Sequence, residues 1–391
     1  MGVIAHVDMD AFYASVEMAR HPELAHVPMF VGGSTRGVVL SANYAAREHG
    51  ITSGMPSTRA RRLCPSVQVV HPDFDAYSGV SAGIVEIFEA ITAKVEVASI
   101  DEAFLDVTGA SRRLGDARAI AERLRAQVRD EQGIACSVGI GPSKFIAKLA
   151  SKQAKPDGVV EVVPERVVDF LHPLPVEAIW GVGEATAEKL HRYGIQTVRD
   201  LAHTPRQTLQ RAFGDGQGGL LLDLAWGRDE RSVLSREPRE HSIGCQETFG
   251  RDTDDPAVLT GQLLKLAERA AFRMRRAGML GRVVTLSVRF ADFRTITRSA
   301  TLPGPTDVTG DIYDQAVMLL GKLKLERPRV RRLGIRVERL VARDEAYQQL
   351  PLDAPDRGWR EAEQAADRLV LRFGPGAVQR ARLTSPALAG R

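Results

Sequence analysis

The sequence predicts an α+β protein of several domains, and three observations carry that expectation. Residues 1–160 alternate apolar strand runs with amphipathic helical stripes in the order β-α-β-β-α-β, the ferredoxin-like pattern. A polar stretch at 232–239 then precedes a second run of strands and helices. A length of 391 residues also exceeds what one core usually holds.

The first strand is Val3–Met9. About sixty residues, 11–72, interrupt the pattern after it. They contain Ser41-Ala42-Asn43-Tyr44-Ala45-Ala46-Arg47, where Tyr44 and Arg47 lie three apart at a helix start and could meet one phosphate together. Asp75–Thr92 is helical, with Val80, Ile84, Ile87, Phe88 and Ile91 on one stripe. Strands follow at Val95–Ile100 and Ala103–Val107, then a helix over Ala117–Glu131 and a strand at Ala135–Ile140.

The chain is organised around two acidic positions within this sheet. Asp101 and Glu102 sit inside a run that otherwise reads as buried strand, and Asp8 lies in the apolar first strand. A buried ionised carboxylate is costly unless a cation meets it. No Lys or Arg occurs between residues 1 and 19, so Asp8 has no local partner. If the strands pair, Asp8, Asp101 and Glu102 converge as oxygen-only ligands, which suit Mg²⁺ or Mn²⁺. The alternative is a set of strand-end acids facing solvent.

Lys144, Lys148, Lys152 and Lys155 recur at helical spacing with no acid among them, and they are four of the chain's nine lysines. Like charges at that spacing destabilise an isolated helix. An external phosphate is therefore expected against this face, in preference to a solvated face of mixed sign. Further on, Trp180-Gly181-Val182-Gly183 followed by Glu184–Leu190 reads as a tight turn into a helix whose amides can hold a phosphate. With Tyr193–Leu201 it completes a helix-hairpin-helix pattern, a grip on a DNA backbone; Lys189 lies on its helix.

The second module reads as a strand at Ile243–Phe249, a helix at Ala257–Ala277, strands at Arg282–Phe290 and Thr295–Leu302, a helix at Thr309–Leu323 and a strand at Val330–Val341. Between Ser232 and Arg343 there are 18 Arg and 3 Lys against 13 acids, a net +8 in a chain of net +4. A basic module on a slightly acidic body is a nucleic-acid footprint. Arg289, Arg294, Arg298, Arg331, Arg332 and Arg336 lie on or beside its strands. A loop from Asp344 leads to a helical tail, Trp359–Phe373. Three separated cysteines argue for reduced thiols and against structural zinc. No apolar run reaches the ~20 residues of a membrane span and no secretory signal pattern opens the chain, so a cytoplasmic location is expected.

Four motifs together resemble the Y-family translesion DNA polymerases, and most closely their bacterial DNA polymerase IV branch: Val7-Asp8-Met9-Asp10-Ala11-Phe12-Tyr13, Ala42-Asn43-Tyr44-x-x-Arg47, Ser99-Ile100-Asp101-Glu102-Ala103-Phe104 and Lys155-Pro156-x-Gly158. The resemblance covers about residues 1–343. It implies a right-hand polymerase: a ferredoxin-like palm (1–10 and 73–164), small fingers (11–72), a helix-hairpin-helix thumb (165–231), a linker (232–239), an α+β little finger (240–343) and a C-terminal tail (344–391).

The same resemblance implies distributive synthesis past lesions, without proofreading, by a monomer acting on primer-template DNA and an incoming dNTP. Asp8, Asp101 and Glu102, with the Met9 carbonyl, would hold two Mg²⁺ ions, for which Mn²⁺ substitutes. Phe12, Ser41, Tyr44, Arg47 and Lys155 would contact the nucleotide, and Tyr13 would be a steric gate against its sugar; of the lysine stripe the resemblance thus assigns only Lys155 to phosphate, and leaves Lys144, Lys148 and Lys152 to stabilise the sheet or contact the primer strand. Gln349-Leu350-Pro351-Leu352 resembles a sliding-clamp peptide, with Gln349, Leu350 and Leu352 as its anchors; the alternative is a loop whose leucines pack on the little finger. Two rival classes are a nucleotide cyclase, which would have no use for the hairpin or the basic module, and a non-catalytic DNA-binding scaffold, which the intact Asp8, Asp101 and Glu102 disfavour.

Overall fold

The computed structural model describes residues 2–33, 36–235, 240–323, 329–346, 358–374 and 376–383. The chain divides into two compact units, Met1–Glu237 and Pro238–Arg391.

The first unit is built on a five-stranded sheet in the order Val95–Val97, Glu102–Asp106, Ile4–Met9, Cys136–Gly141, Val159–Glu161. The first four strands are antiparallel neighbours, and the last joins in parallel. This is the spatial order that a ferredoxin-like β-α-β-β-α-β chain gives, with one strand added.

Side chains alternate across this sheet. Val7, Met9, Ala103, Leu105, Val138 and Ile140 point to one face, where helices Phe74–Ile91 and Ala117–Gln132 cover them with Ile84, Ile87, Phe88, Ile120, Leu124 and Val128. His6, Asp8, Glu102 and Phe104 share the other face. The lysine-bearing helix Lys144–Ala154 lies there, close enough that a Cβ on Gly139 would collide with the Ala147 carbonyl and the Ser151 amide. The far side of that helix, through Phe145, Ile146 and Leu149, joins the core of the following short helices.

Two sequence expectations change here. The strand expected over Val95–Ile100 ends at Val97, because the amides of Ala98 and Ser99 turn back to the Glu102 carbonyl, at 3.0 and 3.2 Å. Lys155 does not share the helix of Lys144, Lys148 and Lys152: it is the extended C-cap residue, since the following Pro156 disfavours helical backbone before it. In the helix-hairpin-helix region the leading helix is one 3-10 turn, Val176–Ala178; helices Glu184–Arg192 and Val198–Ala202 follow, the latter closed by a Thr197–Asp200 capping box.

Residues 11–72 form a small three-stranded sheet, Val39–Ala42, Met29–Gly32, Gln68–Val70, with short helices Tyr44–Glu48 and Ser57–Leu63. Phe30, Val39, Ala46, Ile51, Ala60 and Val67 give it a core of its own.

The second unit carries a four-stranded antiparallel sheet in the order Thr295–Thr306, Met279–Phe290, Val330–Glu338, Ser242–Thr253. Helices Pro256–Arg276 and Thr309–Lys322 bury one face against Val284, Leu286, Val288, Leu333, Ile335 and Val337. The tail helix Trp359–Phe373 belongs to this unit and docks through charge. Glu363, 8% exposed, accepts from the Thr309 amide at 3.0 Å and from Arg275 at 2.6 Å. Asp307, fully buried, takes Arg360 at 2.8 Å and also pairs with Arg343. The peptide 349–352 lies outside the described residues. Among the described residues no helix is long and apolar enough to cross a membrane.

Candidate active site

Antiparallel register sets Asp8 directly opposite Glu102, side chains on one face. Asp101 precedes the strand. Its carbonyl accepts from the Met9 amide at 2.9 Å, and its carboxylate is turned onto the Ser99 hydroxyl. The Met9 side chain is buried in the opposite face, which leaves only its carbonyl on the acidic side.

The cation that Asp8 lacks locally comes from 147 residues downstream. Lys155 Nζ pairs with Asp8 Oδ1 and stands 3.3 Å from the Met9 carbonyl. Glu102 pairs with Lys148 Nζ, and His6 Nε2 lies 3.4 Å from the same oxygen. Lys144, buried on its helix, pairs with Glu96 at 2.6 Å. The lysine stripe therefore does not stand as an open phosphate-binding face, as the spacing alone had suggested. Three of its four ammoniums meet carboxylates of the sheet, acids remote in sequence that no scan of the helix could find; Lys152 is exposed.

These contacts shift the ionisation of both acids. Burial pushes the Asp8 carboxyl above its ordinary value, with the Lys155 ammonium pulling the other way. His6 and the Lys148 ammonium hold the Glu102 carboxyl down at about 2, against the cost of burial. At 3.4 Å His6 Nε2 makes no aligned hydrogen bond, so the ammonium is the firmer partner. Burial keeps His6 itself below its ordinary value.

Asp10 was not singled out by sequence reasoning, although it stands two residues beyond Asp8. It is 3% exposed and accepts from the Ser137 hydroxyl at 3.0 Å and from the Asp157 amide at 2.7 Å. Arg125 and Arg129 pair with the Asp157 side chain. Asp10 thus fastens the loop that carries Lys155 beside the acids. The signal that could have found it is its acidic character at two-residue spacing in an apolar strand.

The inserted segment brings its residues to the same place. After Ala11, in left-handed backbone at φ 47°, helix Phe12–Arg20 begins. Phe12 is buried. Tyr13 stacks on Tyr77, with ring centroids 4.5 Å apart and planes 28° apart, and Phe74 meets it edge-on at 5.9 Å. Burial, then the Asp101 charge, raises its phenol above the ordinary value. The Ser41 hydroxyl is 3.4 Å from the Ala14 amide. Tyr44 Oη lies 3.4 Å from Asp10 Oδ1, and burial with that carboxylate pushes its phenol up to about 12. The Arg47 guanidinium packs 4.7 Å from the Tyr44 ring.

The donors facing this space are the Asp8 and Glu102 carboxylates and the Met9 carbonyl; the His6 nitrogen stands behind Glu102, and the Asp101 carboxylate is turned onto Ser99. Among the described residues no group of three acids, histidines or cysteines is yet gathered tightly enough to hold a metal. Two ammonium groups instead supply the positive charge, one of them touching both Asp8 and the Met9 carbonyl. A place where a cation already satisfies a carboxylate and a carbonyl fits Mg²⁺ or Mn²⁺ in donor chemistry, and Asp101 would have to turn from Ser99 to join it.

Away from the acids, Gly181 adopts φ 99°, and the Val182 amide closes the turn onto the Ile179 carbonyl at 2.9 Å. Gly183 caps helix Glu184–Arg192 without a side-chain partner. Lys189 Nζ bonds the Ala212 carbonyl and lies 4.9 Å from the Phe213 ring.

In the second unit, Arg289, Arg332 and Arg336 share the helix-free face with Thr285, Ser287, Thr297, Gly244 and Gly334, a trough of small polar residues. Arg289 and Arg332 are directly opposite each other. Arg298 is opposite Leu286, so it lies on the other face of the edge strand. Arg331 gathers on the hairpin, 4.4 Å from the Phe293 ring, and Arg294 packs at 5.4 Å from Phe290.

Three family models match the chain: the impB/mucB/samB family over residues 7–152, a DNA polymerase-iota thumb domain over 177–229, and the C-terminal domain of the impB/mucB/samB family over 240–352. Among curated proteins, DNA polymerase IV 2 of Mesorhizobium japonicum is 41% identical over 388 residues, covering 96% of this chain and 92% of its own length. DNA polymerase IV of Alkalilimnicola ehrlichii is 44% identical over 341 residues, covering 86% and 95%. Among solved structures, a Y-family DNA polymerase chimera of Dbh and Dpo4 aligns with a TM-score of 0.80 at 28% identity, over 87% of this chain and 99% of that one. An insertion ternary complex of Dbh DNA polymerase aligns with a TM-score of 0.59 at 27% identity, with the same coverage.

Proposed function

This chain belongs to the Y-family DNA polymerases, in the DNA polymerase IV branch, and from that premise we propose that Asp8, Asp101 and Glu102 are the centre at which it adds dNMP to a primer 3′-hydroxyl. The observation that carries this reading is the Asp8–Glu102 cross-strand pair, neutralised by two ammoniums, with the Met9 carbonyl beside it. Two divalent cations bound there would lower the pKa of the primer hydroxyl and stabilise the leaving pyrophosphate.

The chain's own residues do the remaining work. Asp8, Asp101, Glu102 and the Met9 carbonyl hold the ions. Lys155, released from Asp8, turns its ammonium to the triphosphate with Arg47 and Tyr44, which are already packed together, and with Ser41 and the segment of Phe12. Tyr13, braced by Tyr77 and Phe74, excludes a ribose 2′-hydroxyl by overlap. The amides at Gly181 and Gly183 and the cation of Lys189 face a DNA backbone. Arg289, Arg332 and Arg336 lie along phosphates, with Arg294, Arg298 and Arg331 at the rim. The domain boundaries follow the family: palm 1–10 and 73–164, fingers 11–72, thumb 165–231, little finger 240–343.

Synthesis past damaged templates, in short bursts by a monomer without proofreading, belongs to this reading and rests on the family. So does a clamp contact through Gln349, Leu350 and Leu352. Changing those three to Ala removes clamp-stimulated extension and spares clamp-free extension; a collapse of both would make the leucines structural.

The central test is Asp101→Ala and Glu102→Ala, each assayed for single-turnover incorporation and for primer-template affinity by anisotropy. Incorporation is lost while DNA affinity is largely kept. Near-normal incorporation by either variant would remove the assignment.

A further inference from the structure

Lys148 stands between two structures. Its ammonium bonds the Glu102 carboxylate, and it also lies 5.5 Å from the centroid of the Trp180 ring and 6.0 Å from that of Phe104. Those two rings stack at 5.7 Å, 26° from parallel. Phe104 is two residues along the strand from Glu102, on the same face. Trp180 is the residue before Gly181, and the Val182–Ile179 hydrogen bond closes the hairpin around it. Its ring is therefore carried by the hairpin and seated on the catalytic sheet. The Arg231 guanidinium, neutralised by the buried Asp229 carboxylate at 2.6 Å, lies 4.3 Å from the same indole.

We propose that Trp180 is a positioning residue for the metal centre: it gives the Lys148 ammonium a second seat, so that Glu102 can exchange that ammonium for a divalent cation. The inference rests on the reading of Glu102 as a metal ligand. A divalent ion that takes up a lone pair of the same carboxylate repels the ammonium beside it, because the two cations are like charges a few ångströms apart. Without an aromatic face the ammonium would have to be held by water in a half-buried space. The indole face attracts a cation by its quadrupole, most strongly among the aromatic side chains. The lysine then needs only to swing a few ångströms, and helix Lys144–Ala154 stays in place. Because Trp180 is part of the hairpin, the exchange at Glu102 is tied to the segment proposed to grip the DNA backbone.

The chain has three tryptophans, and Trp226→Phe with Trp359→Phe leaves Trp180 as the single indole in the full-length protein. Mg²⁺ added without DNA or nucleotide should change Trp180 emission saturably. The midpoint for Mn²⁺ should match its binding followed by electron paramagnetic resonance. Lys148→Met should abolish the emission change while Mn²⁺ still binds. Trp180→Ala should weaken Mn²⁺ binding about threefold, the scale of an exposed cation–π contact. It should also raise the metal concentration for half-maximal extension, and leave the dNTP KM unchanged; Trp180→Phe should restore most of both. An emission change that survives Lys148→Met, no emission change while Mn²⁺ binds, or an unaltered Mn²⁺ affinity in Trp180→Ala overturns the proposal. If Glu102→Gln binds Mn²⁺ as tightly as the parent, the metal reading itself fails, and this inference falls with it.

Discussion

Lys155 Nζ spans the Asp8 carboxylate and the Met9 carbonyl, which it approaches to 3.3 Å. One side chain thereby serves two states: in the free protein it neutralises an acid that burial penalises, and in the proposed catalytic state it is free for a triphosphate.

Lys155→Met separates those roles. Removing the competing ammonium should tighten Mn²⁺ binding to the free protein, because the ion no longer displaces a bonded cation. The dNTP KM should rise at the same time, since a charge-assisted contact to phosphate is lost. Mn²⁺ titration and steady-state kinetics on the same variant check both signs. Weaker Mn²⁺ binding would show that the lysine is not a competitor.

Asp8 and Glu102, opposite each other in register, should respond oppositely to neutralisation. The folded state holds Glu102 at about 2, below its unfolded value. The stability this brings is complete above the unfolded pKa, near 4.3, and is lost as pH falls from there towards 2. Glu102→Gln should therefore cost roughly 1–3 kcal/mol at pH 7. Asp8 is raised in the folded state, so its ionised form is a net burden once pH exceeds its unfolded value. Asp8→Asn should leave the Tm at pH 7 unchanged or higher. Denaturant melts of both variants at pH 4 and pH 7 test the pair, and a loss of stability in Asp8→Asn equal to that in Glu102→Gln contradicts the assignment.

Tyr13 is held by ring contacts on two sides, so its position does not depend on a bound nucleotide. Tyr13→Ala should raise ribonucleotide incorporation relative to deoxyribonucleotide by orders of magnitude, with a smaller effect on deoxyribonucleotide turnover. Competitive primer extension measures the ratio. A variant that polymerises with unchanged sugar preference rules out the gate.

Arg289 and Arg332 face each other on the open side of the second sheet, an arrangement that is unfavourable without an anion. Arg332→Ala should weaken DNA binding and reduce the slope of log affinity against log salt by about 1, while the melting temperature holds or rises. Arg298→Ala, on the other face, should do much less. Equal losses from both variants would place the DNA on the helical side or at the strand edge.

The order of elements in the first unit, the insertion after the first strand and the basic second module were legible in the sequence. Each rests on local periodicity and charge, which a chain carries with it. Asp8, Asp101 and Glu102 stood out for the same reason: ionised groups in apolar strands need an external cation. The acid partners of the lysines were not legible. The spacing of Lys144, Lys148 and Lys152 determines that they share a helix face, but not which side of the sheet that face meets. Only the register of Asp8 against Glu102, and the close approach that Gly139 permits, set those ammoniums on Glu96 and Glu102 and delivered Lys155 to Asp8. The same holds for Asp10, whose partners Ser137 and Asp157 are 127 and 147 residues away, and for the arginines, which strand parity divides between two faces of one sheet. Local sequence fixes what each residue can do, whereas long-range pairing selects its partner, because the energy of a buried charge depends on the groups around it in space.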